Sequence, residues 1–347
     1  MSSWEGTVES SLTAYERLYA RLKGEPVDRA PNFDIIMAYG VRHIGAKLRD
    51  YYLDYRTLVR MNLAMLEDFH LDLVQAISDP YREAHDLGLE VEFPEDGLPK
   101  RLKPLLDDPA DLGKLSTRPF APGKRMTDRL EAIRTLKEQV GGRVPVMGWV
   151  EGALAEANDL RGDSAMMTDF YDRPEWLVEL LEILTEFEIA FARAQVEAGA
   201  DIIGLGDAIA STISPRMYRR FALPYEQRIF AAVREMGAIP RLHICGDTNK
   251  IIADMAESGA QIIDVDWMVD FATAARTFAA RGIAICGNFD PVRVMLQGTE
   301  EEVYRATLAN LQAGGRACFS AAGCEIPVGT PPANIHAQNR AIREFGS

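Results

Sequence analysis

Ile239-Pro240-Arg241-Leu242-His243-Ile244-Cys245-Gly246-Asp247 reads as a short buried strand that ends in a Gly-Asp turn, with Thr248 and Asn249 opening the next helix. Side chains two apart on an extended chain share one face. His243 and Cys245 therefore aim at one point, as the imidazole and thiolate ligands of a borderline-soft metal must. A third ligand of that kind, Cys324, stands in Ser320-Ala321-Ala322-Gly323-Cys324-Glu325-Ile326-Pro327. The remaining chain reads as the frame that brings the two segments together.

Outward from that strand the same beat repeats. On the N-terminal side, a helix from about Val8 to Gly24 precedes strand-like runs at Phe33–Ala38, Asp72–Ile77, Val144–Val150 and Asp201–Leu205. Gln261–Trp267, Ile283–Asn288 and Arg316–Ala321 follow on the C-terminal side. Helical spacing separates them, over Leu58–Phe69, Arg125–Val140, Trp176–Ala198, Pro215–Met236, Lys250–Ser258, Phe271–Ala280 and Glu300–Ala313, and Pro332–Phe345 closes the chain. Short apolar strands alternating with helices imply parallel pairing through crossovers, and eight such units close a (β/α)8 TIM barrel. No Gly-rich phosphate turn follows the first strand, as an open doubly wound sheet would usually show. The alternation breaks only between Tyr81 and Met126, where a charged hairpin around Pro94-Glu95-Asp96-Gly97 reads as an insertion after strand 2. We expect one barrel domain over residues 1–347 with an N-terminal helical extension of about 30 residues.

Polar residues gather just after the strands: Asp79, Glu151, Asp207, His243 with Cys245, Asp266, Asn288 with Asp290, and Cys324 with Glu325. In a barrel these positions converge on the catalytic face. His243, Cys245 and Cys324 would give zinc three ligands and leave one position open. Asp79, Glu151 and Asp207 are the candidate catalytic carboxylates beside it. The bland alternative makes both cysteines small core residues and His243 a hydrogen-bonded one. Cys286 and Cys318 lie inside strands and read as packing, and His43, His70, His85 and His336 read as ordinary structural residues.

Composition narrows the classes. Lys and Arg number 38 against 52 Asp and Glu, a net charge of −14, which opposes broad contact with nucleic acid or anionic lipid. No apolar run reaches the ~18 residues of a membrane span. The start, Met1-Ser2-Ser3-Trp4-Glu5, lacks the basic and apolar pattern of an export signal, so a reducing cytoplasm with free thiols is the expectation. Two thiolates and a neutral imidazole would leave Zn2+ formally neutral. Such a centre activates water poorly and suits a further thiol, which coordination deprotonates.

Ile77-Ser78-Asp79, Leu87-Gly88-Leu89-Glu90-Val91, Phe221-Ala222-Leu223-Pro224-Tyr225, Val265-Asp266-Trp267 and Gly287-Asn288-Phe289-Asp290-Pro291 carry a resemblance over nearly the whole chain. It resembles the uroporphyrinogen decarboxylase superfamily, in particular the corrinoid-dependent methyltransferase branch. The resemblance implies a (β/α)8 barrel and zinc on His243, Cys245 and Cys324. It implies methyl transfer between a cobalamin and a thiol or methylated small molecule. The Gly-His-Gly segment and the arginine-rich first loop of the decarboxylases are replaced here by Gly323-Cys324-Glu325 and Ile36-Met37-Ala38-Tyr39-Gly40. Asp79 matches the decarboxylases' central aspartate. No Asp-x-His-x-x-Gly corrinoid signature is present, so the corrinoid is expected on a separate partner protein. Decarboxylation, and a non-catalytic barrel that only binds a corrinoid protein, are the rival readings.

Overall fold

The computed structural model describes residues 12–115 and 120–346. Seven parallel strands form one curled sheet: β1 (Val74–Gln75), β4 (Val146–Glu151), β5 (Ile202–Gly206), β6 (Ile239–Ile244), β7 (Ile262–Val265), β8 (Ala284–Cys286) and β9 (Cys318–Phe319), in that order. Between β1 and β4, β2 (Val91–Glu92) pairs antiparallel with β3 (Lys100–Arg101), which is the hairpin of the expected insertion. Residues 116–119 of that insertion, and residues 1–11 of the expected N-terminal extension, lie outside the described residues.

The expected first strand, Phe33–Ala38, is where the structure departs most from the sequence reading. Regular helix already begins at Met37, and pairing is confined to a bridge between Asn32 and Ser320. Backbone bonds still span the gap between the sheet's edges. Ser320 N donates to Pro31 O and Phe33 N to Ser320 O, both at 2.9 Å, while Asp72 N donates to Asn32 O at 3.0 Å. Side chains then replace the missing ladder. Asp34 Oδ1 accepts from Ala322 N at 2.8 Å, and Gln75 Nε2 donates to Asp34 O at 2.9 Å. The eighth stave of the barrel is thus held by a few backbone bonds together with polar side chains, which an apolar-run criterion does not register.

Alternation along the strands separates two cores. Inside the barrel, Phe33, Ile35, Leu73, Ile77, Met147, Trp149, Ile202, Ile239, Ile262, Cys286 and Phe319 pack together. The opposite faces, among them Val74, Val146, Val150, Ile203, Leu205, Leu242, Ile263 and Ile285, meet the surrounding helices. The helices Tyr55–Phe69, Lys124–Val140, Pro174–Ala198, Phe271–Ala279 and Glu300–Gly314 stand where the periodicity puts them. The expected helix over 215–236 is two, Pro215–Phe221 and Leu223–Glu235, because Pro224 disrupts the helical ladder and Ala222 leaves helical geometry at φ −121°. The stretch after Lys250 keeps one α-helical turn, Ile252–Met255. Among the described residues no helix is long and apolar enough to cross a membrane.

Candidate metal centre

β6 ends at Ile244, and Gly246 follows Cys245 with φ +96°, a left-handed turn that glycine adopts without strain. The turn is pinned from the next strand, where Asp266 Oδ2 accepts from Gly246 N at 3.0 Å. Cys324 is brought in by the loop after β9. A Cβ on Gly323 would overlap the backbone nitrogen of Trp267, so only glycine lets this loop lie against the one after β7. The outcome is a compact triangle. His243 Nε2 lies 3.0 Å from Cys245 Sγ, the two sulfurs are 3.6 Å apart, and Cys324 Sγ is 3.9 Å from His243 Nε2. Ligand bonds of ordinary tetrahedral zinc geometry would place nitrogen and sulfur ~3.6 Å apart and two sulfurs ~3.8 Å apart. The donor set suits a single ion of that kind; the two sulfurs and the Cys324–His243 pair stand near that spacing, and His243 and Cys245 stand closer together than it.

The imidazole is oriented from behind. His243 Nδ1 lies 3.1 Å from Asp264 Oδ2, and Arg241 Nε holds both oxygens of Asp264 at 2.9 and 3.0 Å. Burial alone would raise the Asp264 pKa, but Arg241 and then His243 hold it below the usual carboxylate range. An anion at Nδ1 keeps the proton there and leaves the Nε2 lone pair facing the sulfurs. Sequence reasoning missed Asp264. Its signal was a charge inside the apolar run Gln261–Trp267, opposite His243 in the β6–β7 register. Cys324 is the more acidic thiol, drawn down to about 4 chiefly by its hydrogen bond with Cys245, with His243 adding to the effect.

A cavity of about 160 Å3 opens beside the three ligands, walled by Ile35, Met37, Ile77, Trp149 and Gly206, with Asp79, Arg82, Glu151 and Glu325 as its charged members. Glu151 Oε1 accepts from Arg82 at 3.0 Å and Trp149 Nε1 at 3.2 Å, and burial pushes its pKa up to about 7 against the pull of Arg82. Asp79 accepts from Arg125, Ser78 and the Tyr81 backbone. Burial is outweighed there by Arg125 and Arg82, so its pKa is lowered. Glu325 Oε1 accepts from Ala38 N at 2.7 Å, in the first turn of the helix Met37–His43.

Asp207 is placed differently. It is buried against Gly152, where the helix Ala153–Arg161 begins, and is absent from the cavity wall. Burial, then Glu226 and Glu151, push its pKa well up, against the pull of the Ala155 N–H in the first turn of that helix. Arg82, which links Glu83 to Glu151 and donates to Asp79 O, is a further residue the sequence did not single out. Only its position one turn beyond Asp79 could have hinted at it.

Comparison with known proteins identifies the family. Methylcobamide:CoM methyltransferase MtbA of Methanosarcina mazei is 32% identical over 97% of this chain and 99% of its own length. The uroporphyrinogen decarboxylase of Nocardia farcinica is 31% identical over 69% of this chain and 72% of its own. A solved methyltransferase from Methanosarcina mazei superposes with a TM-score of 0.87 at 28% identity, covering 97% of this chain and 100% of that one. The pattern of the uroporphyrinogen decarboxylase (URO-D) family matches residues 13–345, and the chain belongs to that family.

Proposed function

We propose that this protein is a zinc-dependent methyltransferase that moves a methyl group between a corrinoid carried by a partner protein and a small thiol or methylated substrate. One observation carries the reading: the nitrogen and two sulfurs of His243, Cys245 and Cys324 close to within 3.9 Å of one another at the mouth of a small cavity. Zinc held there would supply the positive charge that lets a coordinated thiol exist as a thiolate, a nucleophile toward methyl, at neutral pH.

The chain's own residues do the rest. Asp264 and Arg241 fix the His243 ring, and Trp149, Ile35 and Ile77 exclude water from one side of the cavity. Glu151 faces the substrate. Asp79 is held as an anion by Arg125, and its backbone carbonyl accepts from Arg82. Asp207 supports the start of the helix Ala153–Arg161 rather than touching substrate. Trp267, Met268, Val292 and Val328 are large apolar side chains left exposed on the loops after β7, β8 and β9. These loops rim the catalytic face, where a corrinoid protein would dock. The similarity to methylcobamide:CoM methyltransferases supports the same class of reaction.

The test is methylcobalamin demethylation with thiols, followed by the cobalamin spectrum, alongside zinc analysis. Wild type and Cys318→Ala should carry one zinc per chain and turn over. Cys324→Ala should lose both metal and activity. Turnover by a zinc-free protein, or by Cys324→Ala at the wild-type rate, would sink the proposal.

A further inference from the structure

The charge on the cavity walls bears on which thiol this site accepts. Four carboxylates, Asp79, Glu83, Glu151 and Glu325, meet two guanidiniums, Arg82 and Arg125, in and directly behind the wall. Among the described residues Arg82 is the only Lys or Arg lining the cavity, and it is already joined to two carboxylates, donating to Asp79 O, Glu83 Oε1 and Glu151 Oε1. Arg125 is joined to Asp79 and lies over the Phe93 ring at 4.8 Å. Its Nε and Nη1 are buried without partners, but the residue is not part of the cavity wall.

Two carboxylates remain under-used. Glu325 has Ala38 N as its one hydrogen-bond donor and no cation beside it, and its Oε2 accepts from no described residue. Glu151 spends Oε1 on Arg82 and Trp149. Its Oε2 accepts from none and stands over Gly206, 3.2 Å from where a Cβ on that residue would be. Gly206 lines the cavity and offers no side chain to screen that oxygen. A thiolate joining two cysteine thiolates and a neutral imidazole on zinc adds one more negative charge to the same space. An anionic tail would meet no side-chain cation on the wall that is not already paired with a carboxylate, whereas a cationic tail finds two carboxyl oxygens that accept from no donor.

We propose that the thiol sharing this cavity with the metal carries a positively charged tail, bound by Glu151 and Glu325. This rests on the reading of His243, Cys245 and Cys324 as a thiol-binding zinc site. It predicts a substrate preference opposite to that of a site built for an acidic thiol.

Three thiols with the same two-carbon stem separate the cases: 2-aminoethanethiol, 2-sulfanylethanol and 2-sulfanylethanesulfonate. Each is titrated calorimetrically into the zinc-loaded full chain and into an E151Q/E325Q double variant, so that each thiol's own acidity cancels in the comparison. The amine should bind at least about tenfold more tightly, relative to the sulfonate, in wild type than in the double variant. Should the double variant not fold, the wild-type preference for the amine must still shrink as NaCl is raised from about 0.05 to about 0.5 M. Tighter binding of the sulfonate, an amine-to-sulfonate ratio unchanged in the double variant, or a salt-independent ratio would each overturn the proposal while leaving the zinc site standing. If none of the three binds the zinc-loaded chain, or if those that bind do so equally after Cys324→Ala, the zinc-thiol reading falls and takes this inference with it.

Discussion

Asp264→Asn is the most informative single change, because it disturbs the metal without touching a ligand. In the native protein Asp264 Oδ2 lies 3.1 Å from His243 Nδ1, and both its oxygens are held by Arg241, which is wholly buried. An amide in that place no longer demands a proton on Nδ1, so the ring is freer to turn or to present the wrong tautomer. Loss of such a partner typically weakens metal binding by about 10–100-fold, which corresponds to about 1.4–2.7 kcal/mol. A second effect runs alongside. Arg241 then faces a neutral amide in place of the carboxylate, beside Phe33 O at 3.2 Å and two sulfurs, Met147 Sδ at 3.5 Å and Cys286 Sγ at 3.8 Å. A buried guanidinium stripped of its anion should cost about 3–5 kcal/mol of stability. The effects separate in a double variant, D264N with R241M, which removes the stranded charge. Chelator competition gives the zinc dissociation constant and urea titration gives the stability. We expect D264N to lose both, and the double variant to regain much of the stability while zinc stays weak. If the double variant regains wild-type zinc affinity, or D264N alone stays within about twofold of it, the proposed orienting role of Asp264 is wrong.

Glu226 should tilt stability with pH. It is fully buried, accepts from Tyr218 Oη at 2.6 Å, and burial raises its pKa from 4.5 to about 7. The unfolded chain releases this proton near its ordinary value and the folded chain holds it longer, so this contribution to stability is lost as pH rises from about 4.5 to about 7. The loss is of order 3 kcal/mol. Urea midpoints across that window should fall in wild type and fall less steeply in E226Q, and identical slopes would refute the assignment. Gly204→Ala should push on Trp149, because the new Cβ would overlap the indole Cε3. We expect about 1–3 kcal/mol of destabilisation, with a changed near-ultraviolet circular dichroism signal as the ring moves against the cavity. An unchanged melting temperature and an unchanged signal would show that the strand has room to give.

The parts of this protein that follow a local rule were legible in its residues. The i, i+2 geometry of a strand alone set His243 and Cys245 on one face. The alternation of short apolar runs with helical spacing implied a barrel, and a barrel implied that Cys324, 79 residues beyond Cys245, could return to the same mouth. What stayed hidden depended on partners distant in sequence. The stave at Pro31–Phe33 has only a few backbone bonds and is completed by Asp34 and Gln75, so its apolar run does not mark the full strand it suggests. Asp264 is an isolated charge in an apolar segment until the β6–β7 register sets it opposite His243. Asp207 ends a strand just as Glu151 does, yet one carboxylate turns toward a helix start and the other toward the cavity. Sequence carries the period of each element because backbone geometry repeats along the chain. It does not carry the phase between elements, because register and side-chain direction are settled only when the barrel closes and each buried charge must find a counterpart.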